Sequence, residues 1–88
     1  MGGRMEGKKV GEVVHFYDRI LVAVIDVRGV LKIGDSVHFL GHGSDFQQSI
    51  SSMQIENEPI QQANKGDMIA FKTLKPVRRG TTLYVLTE

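Results

Sequence analysis

The sequence predicts an all-β fold, a small antiparallel β-barrel of about six strands, built from residues 8–88 behind a flexible N-terminal tail at residues 1–7. Three observations lead there. Apolar residues alternate with the period of a half-buried strand, as in Ser36-Val37-His38-Phe39. Glycine-bearing turn motifs such as Gly34-Asp35 and Asn64-Lys65-Gly66-Asp67 punctuate the chain at short intervals. No stretch of useful length shows helical periodicity.

The tail is Gly-rich and polar, and Met5 offers an alternative start. Lys8 to Tyr17 forms the first strand, with Val10, Val14 and Phe16 on one parity and Val13 and Tyr17 on the other. Asp18-Arg19 is a tight connection into a second strand, Ile20 to Val27, which is apolar on both parities and so needs cover on both sides. A short link through Arg28, Gly29 and Lys32 leads to the Gly34-Asp35 turn, where glycine supplies positive φ, and to a strand carrying Val37 and Phe39. The next strand, from Asp45 to Glu56, moves its apolar residues from even positions (Phe46, Ile50) to odd ones (Met53, Ile55). A flat strand with one buried face cannot do this, so a bulge or bend is predicted near Ser51-Ser52. Glu58-Pro59-Ile60 opens a connection with room for one helical turn. The strand Met68 to Thr73, with Ile69 and Phe71 inward, then follows the second Gly-Asp turn. Pro76 to Gly80 forms a turn, and Leu83 to Leu86 the last strand.

Eighty-eight residues suffice for one domain and leave no room for a separate catalytic one. The absence of cysteine excludes disulfides, thiolate metal sites and thiol nucleophiles within the chain, and fits a cytoplasmic protein. The longest apolar run, Ile20 to Ile25, falls far short of a bilayer span, no secretory signal precedes it, and no membrane association is expected. Net charge is +1, but its distribution is uneven. Residues 33–64 hold Asp35, Asp45, Glu56 and Glu58 and no Lys or Arg, whereas residues 68–87 hold Lys72, Lys75, Arg78 and Arg79 and no acid.

Catalytic and cofactor motifs are weak. Gly2 to Lys9 nearly matches a phosphate loop, but Lys9 stands where a hydroxyl should bind magnesium, and no strand precedes it. Glu6 likewise occupies the position where a myristoylation signal prefers Ser or Thr. His38 and His42 share a face if the strand continues, with Asp45 or His15 as a third metal ligand, yet Gly41 and Gly43 interrupt that strand. Ser49, Ser51 and Ser52 lack a nucleophile-elbow pattern. No enzyme activity, cofactor or metal is therefore expected. The basic residues Lys72, Lys75, Arg78 and Arg79 are the best site candidate, because heads brought together by two strands and their turn can meet RNA phosphates.

Gly11-x-Val13, Gly29-Val30-Leu31-Lys32-Ile33-Gly34-Asp35-x-Val37 and Lys65-Gly66-Asp67-x-Ile69-Ala70 resemble the glycine-turn pattern of the second domain of translational GTPases such as elongation factor Tu. A closer similarity is to the C-terminal barrel of the family-U32 peptidase-like proteins. It rests on Gly11-Glu12-Val13, Val27-Arg28, Gly41-His42-Gly43-x-Asp45-Phe46-x-Gln48, Met53, Glu58-Pro59-Ile60 and Pro76-Val77-x-x-Gly80. The GTPase domain and the U32 catalytic region are both absent from the chain.

The resemblance implies a stand-alone accessory module near RNA modification or translation. The expected partners are RNA (tRNA or rRNA), the ribosome, a GTPase or an RNA-modification protein. The alternative is a protein-interaction module that docks a partner or a second copy through the apolar strand Ile20 to Ile25 or an unpaired edge.

Overall fold

The computed structural model describes residues 6–87, which contain ten β-strands and no helix. They are β1 (Glu6–Tyr17), β2 (Val22–Val27), β3 (Leu31–Lys32), β4 (Ser36–Gly41), β5 (Ser44–Ser49), β6 (Met53–Ile55), β7 (Glu58–Ile60), β8 (Gln62–Ala63), β9 (Met68–Lys72) and β10 (Thr82–Thr87). Eight of them form one antiparallel sheet in the order β5-β4-β10-β1-β2-β9-β6-β7, and β3 pairs with β8 separately. In that order β4 and β9 stand four places apart, which in a flat sheet is about 19 Å. Their side chains nevertheless meet: the rings of Phe39 on β4 and Phe71 on β9 lie 6.0 Å apart. The sheet is therefore rolled around a core that includes Val13, Ile25, Leu31, Val37, Phe39 and Leu83, all fully buried.

The long strand β1 pairs with β10 on one side and β2 on the other, and it bulges against each. Val10 is the extra residue between the pairs Lys9↔Tyr84 and Gly11↔Leu83, and Val14 the extra residue between Val13↔Ile25 and His15↔Val24. These insertions let Val10 and Val13, at opposite parities, both enter the core. They displace the simple alternation expected for this strand. Between the bulges the strands approach closely: a Cβ on Gly11 would stand 2.7 Å from Ile25 Cγ2 and 2.9 Å from the Asp26 carbonyl oxygen. Strand β1 also takes in Glu6 and Gly7, paired with Thr87 and Leu86, so the last two residues of the expected tail are sheet. Residues 1–5, and with them the first half of the phosphate-loop near-match, lie outside the described residues.

The anticipated Gly-Asp turns form, and by one mechanism. Gly34 and Gly66 have φ of +94° and +97°, the Asp35 and Asp67 amides donate to the Lys32 and Asn64 carbonyls, and the two carboxylates accept from the Lys32 and Asn64 amides. The bend expected near Ser51-Ser52 is a break at residues 50–52. There Ile50 exchanges backbone hydrogen bonds with Gly34 and Asp35, and the chain crosses from the β4 side of the sheet to the β9 side. What was expected as one strand from Asp45 to Glu56 is thus β5 and β6.

Two further expectations are corrected. No helical turn opens at Glu58. Glu56 and Asn57, with φ of 49° and 68°, instead form the two-residue turn of a hairpin, and Pro59 sits on its edge strand β7, where a missing N–H costs little. The second strand begins at Val22, not Ile20, because Leu21 takes a left-handed conformation (φ 55°) at the end of the β1–β2 turn.

Candidate nucleic-acid interface

The four basic candidates all belong to the stretch from the end of β9 to the start of β10, and all four are exposed. This connection is pinned along its length. Thr73, itself buried, donates its N–H to the Leu21 carbonyl (2.8 Å) and its hydroxyl to the Lys75 carbonyl (2.7 Å). Gln48 reaches from β5, donating through Nε2 to the Lys72 carbonyl (3.0 Å) and accepting from the Leu74 amide (2.8 Å). Strands β5 and β9 have no ladder between them among the described residues, so this one amide acts as a ladder pair across the seam of the roll. Val77, 3% exposed, plugs the middle of the connection into the core. A turn closed by the Thr81 amide on the Arg78 carbonyl (3.0 Å), with Gly80 at φ +94°, then presents Arg78 and Arg79.

The result is a ridge with cations at both ends. Lys72 lines a shallow depression with Val22, Ser52, Gln54, Ala70 and Phe71. Lys75 holds its ammonium 5.7 Å from the centroid of the Phe46 ring. Arg78 lines a separate depression beside the β4–β5 turn with His42, Gly43 and Ser44. Among the described residues the ion pairs are Arg28–Asp26 (3.1 Å) and His38–Asp45 (2.6 Å), and neither draws on the ridge. Sequence reasoning missed Gln48, Phe46 and His42 as neighbours of the basic group. Their motif was visible, but only the rolling of the sheet sets β5 against the connection after β9.

The three histidines part company. His38 Nε2 meets Asp45 Oδ1, the ring of His15 rests edge-on against Tyr17 at 4.4 Å, and His42, in the two-residue β4–β5 turn, lies over Gly80. The arrangement considered for a metal, His38 and His42 with Asp45 or His15, is not assembled, and no cluster of three such ligands occurs among the described residues. Val22, Gln54 and Ala70, which line the Lys72 depression, also border a groove of about 740 Å³ lined by Tyr17, Ile20, Val24, Ile55 and Met68 among others. Tyr17, Ile20 and Met68 are 50%, 56% and 50% exposed. The second strand is therefore covered on its inner parity and only half-covered on its outer one. No helix among the described residues is long and apolar enough to cross a membrane.

No protein-family model matches the chain. Over 81 residues, 91% of its length, it is 35% identical to an uncharacterized protease of Methanocaldococcus jannaschii. The chain spans about a fifth of that relative, 20% of its length. Two crystal structures of the C-terminal domain of a Geobacillus thermoleovorans protein named for the U32 peptidases share its fold, each with a TM-score of 0.83 at 21% identity over 88% of this chain. The match covers 98% of that domain's selenomethionine variant and 90% of the other chain. The chain thus resembles the C-terminal domain of a U32 peptidase, as pieces such as Gly41-His42-Gly43-x-Asp45-Phe46-x-Gln48 and Pro76-Val77-x-x-Gly80 suggested, and the region matched in those structures is that domain alone.

Proposed function

We propose that this chain, similar in fold to the C-terminal domain of a U32 peptidase, is a non-catalytic accessory module that binds RNA through Lys72, Lys75, Arg78 and Arg79. One observation carries the reading: four exposed cations sit on a connection held rigid by Gln48, Thr73 and Val77, and no carboxylate among the described residues neutralises them. Cations presented on an ordered ridge release counterions when phosphates dock, with little ordering of backbone to offset the gain. The decisive measurement is binding of a labelled single-stranded RNA across a salt series. Four engaged phosphates give a slope of log K against log salt of about −3, at roughly −0.7 per contact. Absence of binding at low salt, or a slope near zero, removes the reading.

A second reading is supported by the exposed apolar groove around Ile20 and Met68. The relative of which this chain spans a fifth has a long remaining body, and a U32 peptidase-like body is the partner we assign to the groove. Ile20→Asp with Met68→Asp then abolishes co-elution with such a protein truncated of its own C-terminal barrel. Co-elution that survives the double change, or that never occurs with the unaltered chain, rejects this reading.

A further inference from the structure

The depression between the β4–β5 turn and the β9–β10 connection has a volume of about 350 Å³ and a distinctive lining. Its base is Pro76 and the buried Val77, and its hydrogen-bonding side chains are Arg78, His42 and Ser44. No acid lines it, and the carboxylate carried by the β4–β5 hairpin, Asp45, is engaged by His38 Nε2 at 2.6 Å. The wall is built by close packing. A Cβ on Gly80 would stand 2.8 Å from His42 Nε2 and 3.3 Å from its Cδ2 and Cε1, so the imidazole lies directly on the glycine. His42 itself is held at φ 52° and Gly43 at φ 88° in the hairpin turn. Two chain segments separated by more than thirty positions of sequence thus bring Arg78, His42 and Ser44 around one small acid-free hollow.

From this geometry we infer that the depression is a seat for a single phosphate of the RNA backbone, with Arg78 supplying the charge and His42 and Ser44 completing the hydrogen bonds. The inference rests on the RNA-binding reading and sharpens it: the four cations are not equivalent. Arg78 engages its phosphate as a planar fork inside a shaped site, whereas Arg79, its neighbour, does not line the hollow and meets its phosphate as an exposed, screened charge. The unit of recognition is a compact tetrahedral oxyanion, and inorganic phosphate is the minimal probe of it.

The test combines amide chemical-shift mapping with affinity measurement on the whole chain. Titration with inorganic phosphate, and separately with a short single-stranded RNA, shifts the amides of His42, Gly43, Ser44 and Arg78. Arg78→Ala weakens RNA binding by about tenfold, the loss typical of a charge-assisted contact, and Arg78→Lys, which keeps the charge but not the fork, loses nearly as much. Arg79→Ala loses only a few-fold, as a screened surface charge should. His42→Asn, chosen because Asn accepts the left-handed backbone, keeps the fold by circular dichroism and weakens binding in the same sense as Arg78→Ala. Equal losses for the Arg78 and Arg79 changes overturn the seat and leave the RNA reading standing. No RNA binding by the unaltered chain overturns both. Shifts at these amides with a peptide carboxylate but not with phosphate also overturn the seat.

Discussion

The side chain of Gln48 offers a direct test of how the roll is closed and how the basic ridge is held. It makes two hydrogen bonds across the seam, Nε2 to the Lys72 carbonyl at 3.0 Å and Oε1 from the Leu74 amide at 2.8 Å. Gln48→Leu removes both while keeping a side chain of similar size. Each bond contributes about 0.5–1 kcal/mol, toward the lower end of the usual range, because water can reach the freed backbone groups at this exposed site. The expected loss is therefore about 1–2 kcal/mol. In a domain of this size that lowers Tm by about 5–10 °C, readable by thermal denaturation followed with circular dichroism. The loss should also be local. Amide exchange at Leu74 should accelerate well before exchange in the β1–β2 ladder changes, since the connection loosens while the core stays packed. Unchanged Tm together with unchanged protection at Leu74 would refute the seam argument and with it the claim that the ridge is preorganised.

Two further perturbations test the rest of the frame. Gly11→Ala places a Cβ against Ile25 Cγ2 and the Asp26 carbonyl, one of which is backbone, so relief requires movement of β1 against β2; a loss of about 1–3 kcal/mol in urea denaturation is expected, and a neutral result would place the bulges elsewhere. Replacing Glu56-Asn57 by Asn-Gly should stabilise the β6–β7 hairpin by about 1 kcal/mol, because both positions are left-handed and the native Glu is strained there; a fall in the urea midpoint would contradict the assigned turn.

Those positions also explain how far the sequence could be read. Gly34-Asp35 and Gly66-Asp67 announce themselves because the residue needing positive φ is glycine and the residue after it carries the carboxylate that closes the turn. Glu56-Asn57 does not, since the same backbone is imposed on a poor turn residue by the pairing of β6 with β7 and β9. The switch of parity between Phe46 and Met53 was legible because the bend moves the chain from one side of the sheet to the other, and apolar residues record each side separately. The bulges at Val10 and Val14 were not. They lie within a run of alternating apolar residues, and only the registers of two partners, β10 and β2, determine which residue is extra. The short β3–β8 ladder was hidden for a related reason: Leu31 and Ala63 are buried together but stand far apart in the chain, within segments dominated by turn residues.

The site follows the same logic. The chain separates its charges, with Asp and Glu but no Lys or Arg through residues 33–64, and Lys and Arg but no Asp or Glu through residues 68–87. Linear segregation of that kind would normally end in neutralisation, because the roll brings β5 of the acidic segment to the connection after β9. What reaches the connection from β5 and its hairpin turn, however, is uncharged or aromatic: the Gln48 amide bonds its backbone, the Phe46 ring lies beneath Lys75, and the His42 ring covers Gly80. Asp45, the acid of that hairpin, is bound to His38 on the neighbouring strand. Folding therefore converts a charge asymmetry along the sequence into a cationic ridge whose supports include no carboxylate. A carboxylate at position 48 would break that arrangement, because it would keep an acceptor for Leu74 while leaving the Lys72 carbonyl without its donor and setting a negative charge on the ridge itself.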